Sequence, residues 1–130
     1  MNYLFDSSAT IALVERKKLD ELLEGYTIEL AFYELGNAVC KQVHLCKTLS
    51  TDDAKIALDA LISVFNKMHK IQGVEPLSIL TVALKEGLTY YDAAYLQAAV
   101  NNKMTLVTDH EKLKRVGNTY VKTVTSSEIR

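Results

Sequence analysis

The sequence predicts an α/β protein: a three-layer α/β/α sandwich with a central parallel sheet. Three observations lead there. Short runs rich in β-branched and aromatic residues alternate with helical patterns along the whole chain, the order that builds parallel strand–helix–strand units. The opening run, Asn2 to Phe5, is apolar enough for a strand buried on both faces. No internal repeat, linker or low-complexity segment interrupts the pattern, so residues 1–130 read as one domain, large enough for a real core.

Taken in order, the first strand ends at Asp6, and Ser7 and Ser8 turn the chain into a helix over Ser8–Glu15. Leu19–Leu23 predicts a second short helix, stopped by Gly25. Tyr26–Leu30 alternates and predicts the second strand. The helix from Phe32 to Cys46 carries Leu35, Val39, Val43 and Cys46 as its apolar stripe. Ser50-Thr51-Asp52-Asp53 is a capping box, and the helix behind it should bury Leu58, Leu61, Ile62, Phe65 and Met68. Ile71–Val74 predicts a brief strand. Pro76 opens a helix with Leu77, Leu80 and Leu84 at helical spacing, ending at Gly87. Thr89–Asn102 is an alanine-rich helix whose Ala93, Ala94, Ala98 and Ala99 would let it lie close to a neighbour. A strand at Thr105–Val107, a helix at Asp109–Val116 and a last strand at Thr119–Lys122 complete the pattern. The polar tail Thr123–Arg130 is expected to fray.

Composition narrows the function classes. At 48% hydrophobic and 24% charged the chain is ordinary for a globular protein. A net charge of −1 provides no global positive field, so contact with nucleic acid must come from a local patch. Asp6 breaks the apolar start, so no signal peptide is expected, and no stretch reaches the roughly 18–20 apolar residues of a membrane span. Cys40 and Cys46 point to different faces of one helix, which predicts buried free thiols in a cytoplasmic protein rather than a disulfide or a zinc site.

The chemistry lies in four acids. Asp6 follows the first strand, Glu34 opens the helix after the second, Asp92 lies in the first turn of the alanine-rich helix, and Asp109 follows the Thr105–Val107 strand. Each has an ordinary use: Asp6 as a helix cap, Glu34 as a helix-start acid, Asp92 as box partner of Thr89, and Asp109 as a cap. A parallel sheet, however, gathers such positions at one edge, where four carboxylates would repel unless cations neutralised them. Clusters of oxygen ligands suit Mg²⁺ or Mn²⁺. Other site chemistries lack their parts. Ser8 stands where an aspartyl-phosphate phosphatase would need a second Asp, no Gly-rich phosphate loop is present, and His44, His69 and His110 read as surface residues without a visible partner.

These segments resemble the PIN-domain ribonucleases, especially the toxins of VapBC-type toxin–antitoxin pairs. Asp6-Ser7-Ser8 looks like the opening motif, Tyr33-Glu34-Leu35-Gly36-Asn37-Ala38 like the central Glu-x-x-Asn stretch, and Tyr90-Tyr91-Asp92-Ala93-Ala94-Tyr95 like the Tyr-Asp-Ala run. Leu106-Val107-Thr108-Asp109 resembles the last motif, with one departure. The family pattern is Thr-x-Asp, so either Asp109 stands one place early or His110 occupies the acid's position.

The resemblance implies a PIN-like fold and Mg²⁺- or Mn²⁺-dependent hydrolysis of RNA at internal phosphodiesters, with Asp6, Glu34, Asp92 and Asp109 as the catalytic, metal-binding acids. Asp6 and Asp92 would be the principal ligands, and Ser7, Ser8, Asn37 and Thr108 would orient waters or ligands. It also implies a homodimer and a cognate antitoxin that blocks the acidic cleft, with Leu13, Leu19, Leu22 and Leu23 either receiving it or belonging to the core. Lys41, Arg16 and Lys17 are the basic residues expected to meet RNA phosphates, with Lys18, Lys112, Lys114 and Arg115 as further members of that rim. The competing reading is a PIN-like binding module that has lost its catalysis.

Overall fold

The computed structural model describes residues 2–130. Five parallel strands form one sheet: β1 (Tyr3–Phe5), β2 (Tyr26–Ile28), β3 (His69–Ile71), β4 (Thr105–Val107) and β5 (Thr123–Val124), in the order β3-β2-β1-β4-β5. β1 is central, with Leu4 opposite Tyr26 on one side and Leu106 on the other. The chain builds outward through β2 and β3, then returns across β1 to lay down β4 and β5. That reversal makes a topological switch point between β1 and β4, and a crevice opens beyond the carboxyl ends of strands at such a point.

Alternation along the strands separates two apolar layers. Leu4 and Leu106 face a larger core made by α3 (Leu30–His44), α4 (Thr51–Lys67), α5 (Pro76–Glu86) and α6 (Tyr90–Asn101). Phe5 and Val107 face a smaller one with α1 (Ser7–Glu15), α2 (Asp20–Glu24), Val124 and Ile129. The remaining helix is α7 (Glu111–Gly117). Ala93, Ala94, Ala98 and Ala99 are buried, and α6 lies against both β1 and β4, as small side chains permit. Close approach also explains Gly25. A Cβ there would sit 2.4 Å from Phe5 Cε2.

Several elements differ from their sequence reading. β3 ends at Ile71 instead of starting there, because Tyr26–Ile28 pairs with His69–Ile71 and the Lys70 ammonium donates to the Phe65 and Met68 carbonyls at the helix end before it. Of the strand expected at Thr119–Lys122, residues 119–121 are turn and bend, and Lys122 only leads into the strand that follows. The last strand is Thr123–Val124, in the tail expected to fray, where Asn118 Oδ1 accepts from the Thr123 amide at 3.1 Å. Beyond it a 3₁₀ turn (Ser126–Glu128) leads to buried Ile129. Cys40 and Cys46 are free but exposed, since α3 buries Ala31, Leu35 and Val39 and ends before Cys46. Leu13 and Leu22 are core residues, with Leu19 and Leu23 packed against the same cluster. On α5, Ile79 and Ala83 face inward while Leu77, Leu80 and Leu84 are exposed. Among the described residues no helix is long and apolar enough to cross a membrane.

Candidate active site

Asp6 stands at the switch point. Its amide donates to the Val107 carbonyl at 3.1 Å, extending the β1–β4 ladder by one bond. Its side chain caps α1: Oδ1 accepts from the Ala9 amide at 2.9 Å and from the Ser8 hydroxyl at 2.7 Å, while Oδ2 accepts from the Thr108 hydroxyl. The capping role is therefore real, but capping does not require burial. Asp6 is 1% exposed. Burial disfavours its charge more than these three donors and nearby His110 restore it, and the carboxyl is pushed up from 3.8 to about 6.

Two other acids, Glu34 and Asp92, open onto a cleft of about 650 Å³, lined also by Leu30, Tyr33, Asn37, Lys41, Thr89, Tyr91 and His110. Glu34 sits on the second turn of α3, and its Oε1 accepts from Tyr95 Oη at 2.7 Å and Ser7 Oγ at 3.1 Å. Burial and the neighbouring carboxylate push the Tyr95 phenol well above its ordinary value, which keeps it a donor. Asp92 is in the first turn of α6, where its amide donates to Thr89 Oγ1 at 3.0 Å. Its Oδ1 lies 3.4 Å from His110 Nδ1. That contact, aided by the fields of Asp6 and Glu34, raises the half-exposed imidazole from 6.5 to about 9 against the opposing effect of burial.

The fourth acid is elsewhere. Asp109 accepts from the Ser126 amide at 2.8 Å and the Ser126 hydroxyl at 2.6 Å, and so fastens the 3₁₀ turn to the end of β4. Its own amide donates to Ser8 Oγ at 3.0 Å. The ring that enters the cleft from this segment is that of His110, which also stands at the N-cap of α7. His110 is thus not the partnerless surface residue of the sequence reading. Its partner is 18 positions away, on another helix, where spacing along one element could not show it.

The helper residues divide in the same way. Ser7 and Ser8 bind Glu34 and Asp6, Thr108 binds Asp6 while accepting from the His110 amide at 3.0 Å, and Asn37 lines the cleft. Of the basic residues, Lys41 lines it too. The Arg16 guanidinium donates to Ser126 Oγ at 3.1 Å, Lys17 and Lys18 border a separate groove beside Ile129 and Arg130, and Lys112 donates to the Gly87 carbonyl at 2.5 Å. Tyr95 had a sequence signal, standing three residues after Asp92 on the same helical face. Ser126 had none.

The donor chemistry fits a hard divalent ion. Glu34 Oε2 and Asp92 Oδ2 hold no protein hydrogen bond among the described residues, and buried Asp6 is a carboxylate short of compensating charge. Among those residues no three His, Cys, Asp or Glu side chains form a ready cage. A magnesium ion held by one or two carboxylates, waters and substrate phosphate needs none.

No family model matches the chain. A protein named exonuclease VapC9, from Pyrobaculum aerophilum, is 30% identical to it over 115 residues, covering 87% of this chain and 84% of that protein. The crystal structure of PAE2754 from the same organism is similar at a TM-score of 0.80 and 26% identity, over 95% of this chain and 89% of the other. The structure of VapBC2 from Rickettsia felis, bound to a DNA fragment from its promoter, shares the fold at a TM-score of 0.66 and 16% identity, over 96% and 98% of the two chains.

Proposed function

This chain belongs to the VapC family of PIN-domain proteins, and from that premise we propose that it is a divalent-metal-dependent ribonuclease, the toxin of a toxin–antitoxin pair. The observation that carries the reading is geometric: Glu34 and Asp92 open onto one cleft, and the adjacent Ser7 and Ser8 tie Glu34 and buried Asp6 together at the switch point of the sheet. Asp92 and Glu34 would hold Mg²⁺ or Mn²⁺, with buried Asp6 adding negative field, which already reaches His110. When bound, that ion supplies charge stabilisation at the phosphoryl group and activation of the attacking water.

The chain's own groups prepare the site. Tyr95 and Ser7 orient Glu34 by donating to one of its oxygens, leaving the other for the ligand. Thr108 and Ser8 fix Asp6, and Asn37 offers an amide to water or phosphate in the same cleft. His110 places a positive charge beside Asp92, where a phosphate would also meet it. Lys41 is the phosphate contact within reach of the cleft, whereas the Arg16 and Lys17 assignment would require RNA to extend to another face. Exposed Leu77, Leu80 and Leu84 on α5 support a homodimer, and the VapBC architecture of the structural relatives supports an antitoxin partner.

Cleavage of a mixed pool of short RNAs with and without chelator tests the activity. Loss in chelator, rescue by Mn²⁺ or Mg²⁺, and loss in Asp92→Asn are expected; full activity in excess chelator would refute it. A circular RNA decides the mode. Internal cleavage opens the circle, whereas the exonuclease activity named for the Pyrobaculum relative would leave it closed.

A further inference from the structure

The residues immediately before the two open acids are both tyrosines. Tyr33 precedes Glu34 and Tyr91 precedes Asp92, and both line the cleft. They are 71% and 57% exposed, so neither owes its place to packing in the core. Successive helix positions lie about 100° apart, which sets each ring beside its carboxylate rather than over it. Tyr33 is also braced. Phe32 meets it edge-on, with ring centroids 5.1 Å apart and planes at 80°, and Phe32 in turn lies 5.8 Å from the ring of buried Phe65. A ring held this way loses little freedom when something stacks on it.

We infer that Tyr33 and Tyr91 form a stacking platform for unpaired bases of the strand whose backbone crosses Glu34 and Asp92. The inference rests on the nuclease reading and adds which side chains of this protein would hold the bases. Every base has a π face, so aromatic stacking tolerates any sequence, but in a duplex both faces of a base are taken by its neighbours. The cleft volume of about 650 Å³ falls within the roughly 300–1,000 Å³ typical of small-ligand pockets. Lys41 on the same wall supplies a contact for the phosphate between stacked nucleotides.

The test uses Asp92→Asn as the non-cleaving parent and measures binding of a short single-stranded RNA containing 2-aminopurine, the same strand in a duplex, and an abasic strand with equal phosphates. Tyr33→Ala and Tyr91→Ala should each weaken binding of the intact strand on the order of tenfold, with the phenylalanine variants retaining it. Quenching of 2-aminopurine should follow the aromatic ring, and duplex and abasic strands should bind weakly in every variant. Circular dichroism checks that the variants are folded. Alanine variants that bind intact and abasic strands as the parent does would overturn the platform while leaving the nuclease reading standing. Wild-type protein that cleaves no RNA with Mn²⁺ or Mg²⁺ present would overturn the nuclease reading and the platform with it. Alanine variants that change oligomeric state but not strand affinity would assign the tyrosines to a protein interface and also overturn it.

Discussion

Replacing Asp6 with Asn should abolish cleavage and at the same time stabilise the metal-free protein. A buried carboxyl raised from 3.8 to about 6 is ionised at pH 7.5 only against an opposing free energy of roughly 3 kcal/mol, at about 1.36 kcal/mol per pH unit. The side chain is almost wholly buried, so solvent screening takes little from that figure. Asn keeps an oxygen for Ala9 and Ser8 but meets Thr108 with a donor, so one hydrogen bond must rearrange, returning about 1 kcal/mol. The net gain is about 1–2 kcal/mol, or roughly 4–8 °C in Tm for a domain of this size. The pH signature is specific. An acid whose folded pKa is raised makes the native state hold more protons between about 3.8 and 6, so wild-type stability falls as pH rises through that window. The variant has no such group, and its advantage should therefore grow from pH 4 to pH 6.5 and then level off. Thermal unfolding in chelator, followed by circular dichroism, measures it. Added Mn²⁺ should raise the wild-type Tm more than the variant's. A variant no more stable than wild type at pH 7.5, or a difference constant from pH 4 to 7, would refute the reasoning.

Three further outcomes follow from the same contacts. His110→Ala should remove a pH-dependent contribution: because the folded imidazole is raised from 6.5 to about 9, its stabilisation is complete below pH 6.5 and lost as pH rises through 9. Its half-exposed position reduces this to about 1 kcal/mol, read as a wild-type-minus-variant difference in Tm that shrinks over that range in chelator. Asp109→Ala removes both acceptors from buried Ser126 and should cost about 2–3 kcal/mol by urea unfolding, with faster hydrogen exchange at the Ser126 amide; unchanged exchange there would show that the turn does not depend on Asp109. Gly25→Ala should destabilise by about 1–3 kcal/mol through the clash with Phe5, and an unshifted urea midpoint would mean that the ring moves aside freely.

The sheet was legible because each central strand carries its own signal. Tyr3-Leu4-Phe5 and Thr105-Leu106-Val107 are runs of aromatic, aliphatic and β-branched residues, and a helix follows each. The edges were not. β5 is two residues long, and what fixes it and the turn behind it is a set of distant contacts: Asn118 with Thr123, and Asp109 and Arg16 with Ser126, Arg16 lying 110 positions from its partner. α5 misled because two apolar patterns overlap on it, and tertiary packing chose Ile79 and Ala83 over the leucines. In the site, strand-end logic was enough to place Asp6, Glu34 and Asp92 near one edge. The divergence of Asp109 from His110 was beyond it, since adjacent residues after a strand point to opposite sides and either could have faced the cleft.

The central position of β1 also orders events during synthesis. Asp6 and its partner Thr108 are 102 residues apart, and β1 gains its neighbour β4 only when that second segment has been made. A ribosome adding about 5–20 residues per second takes roughly 5–20 s to bridge the interval. Until then Asp6 lacks the hydroxyl that orients it, and Asp92 lacks the imidazole beside it. A growing chain therefore carries the first acid of the proposed site long before it can assemble the cleft.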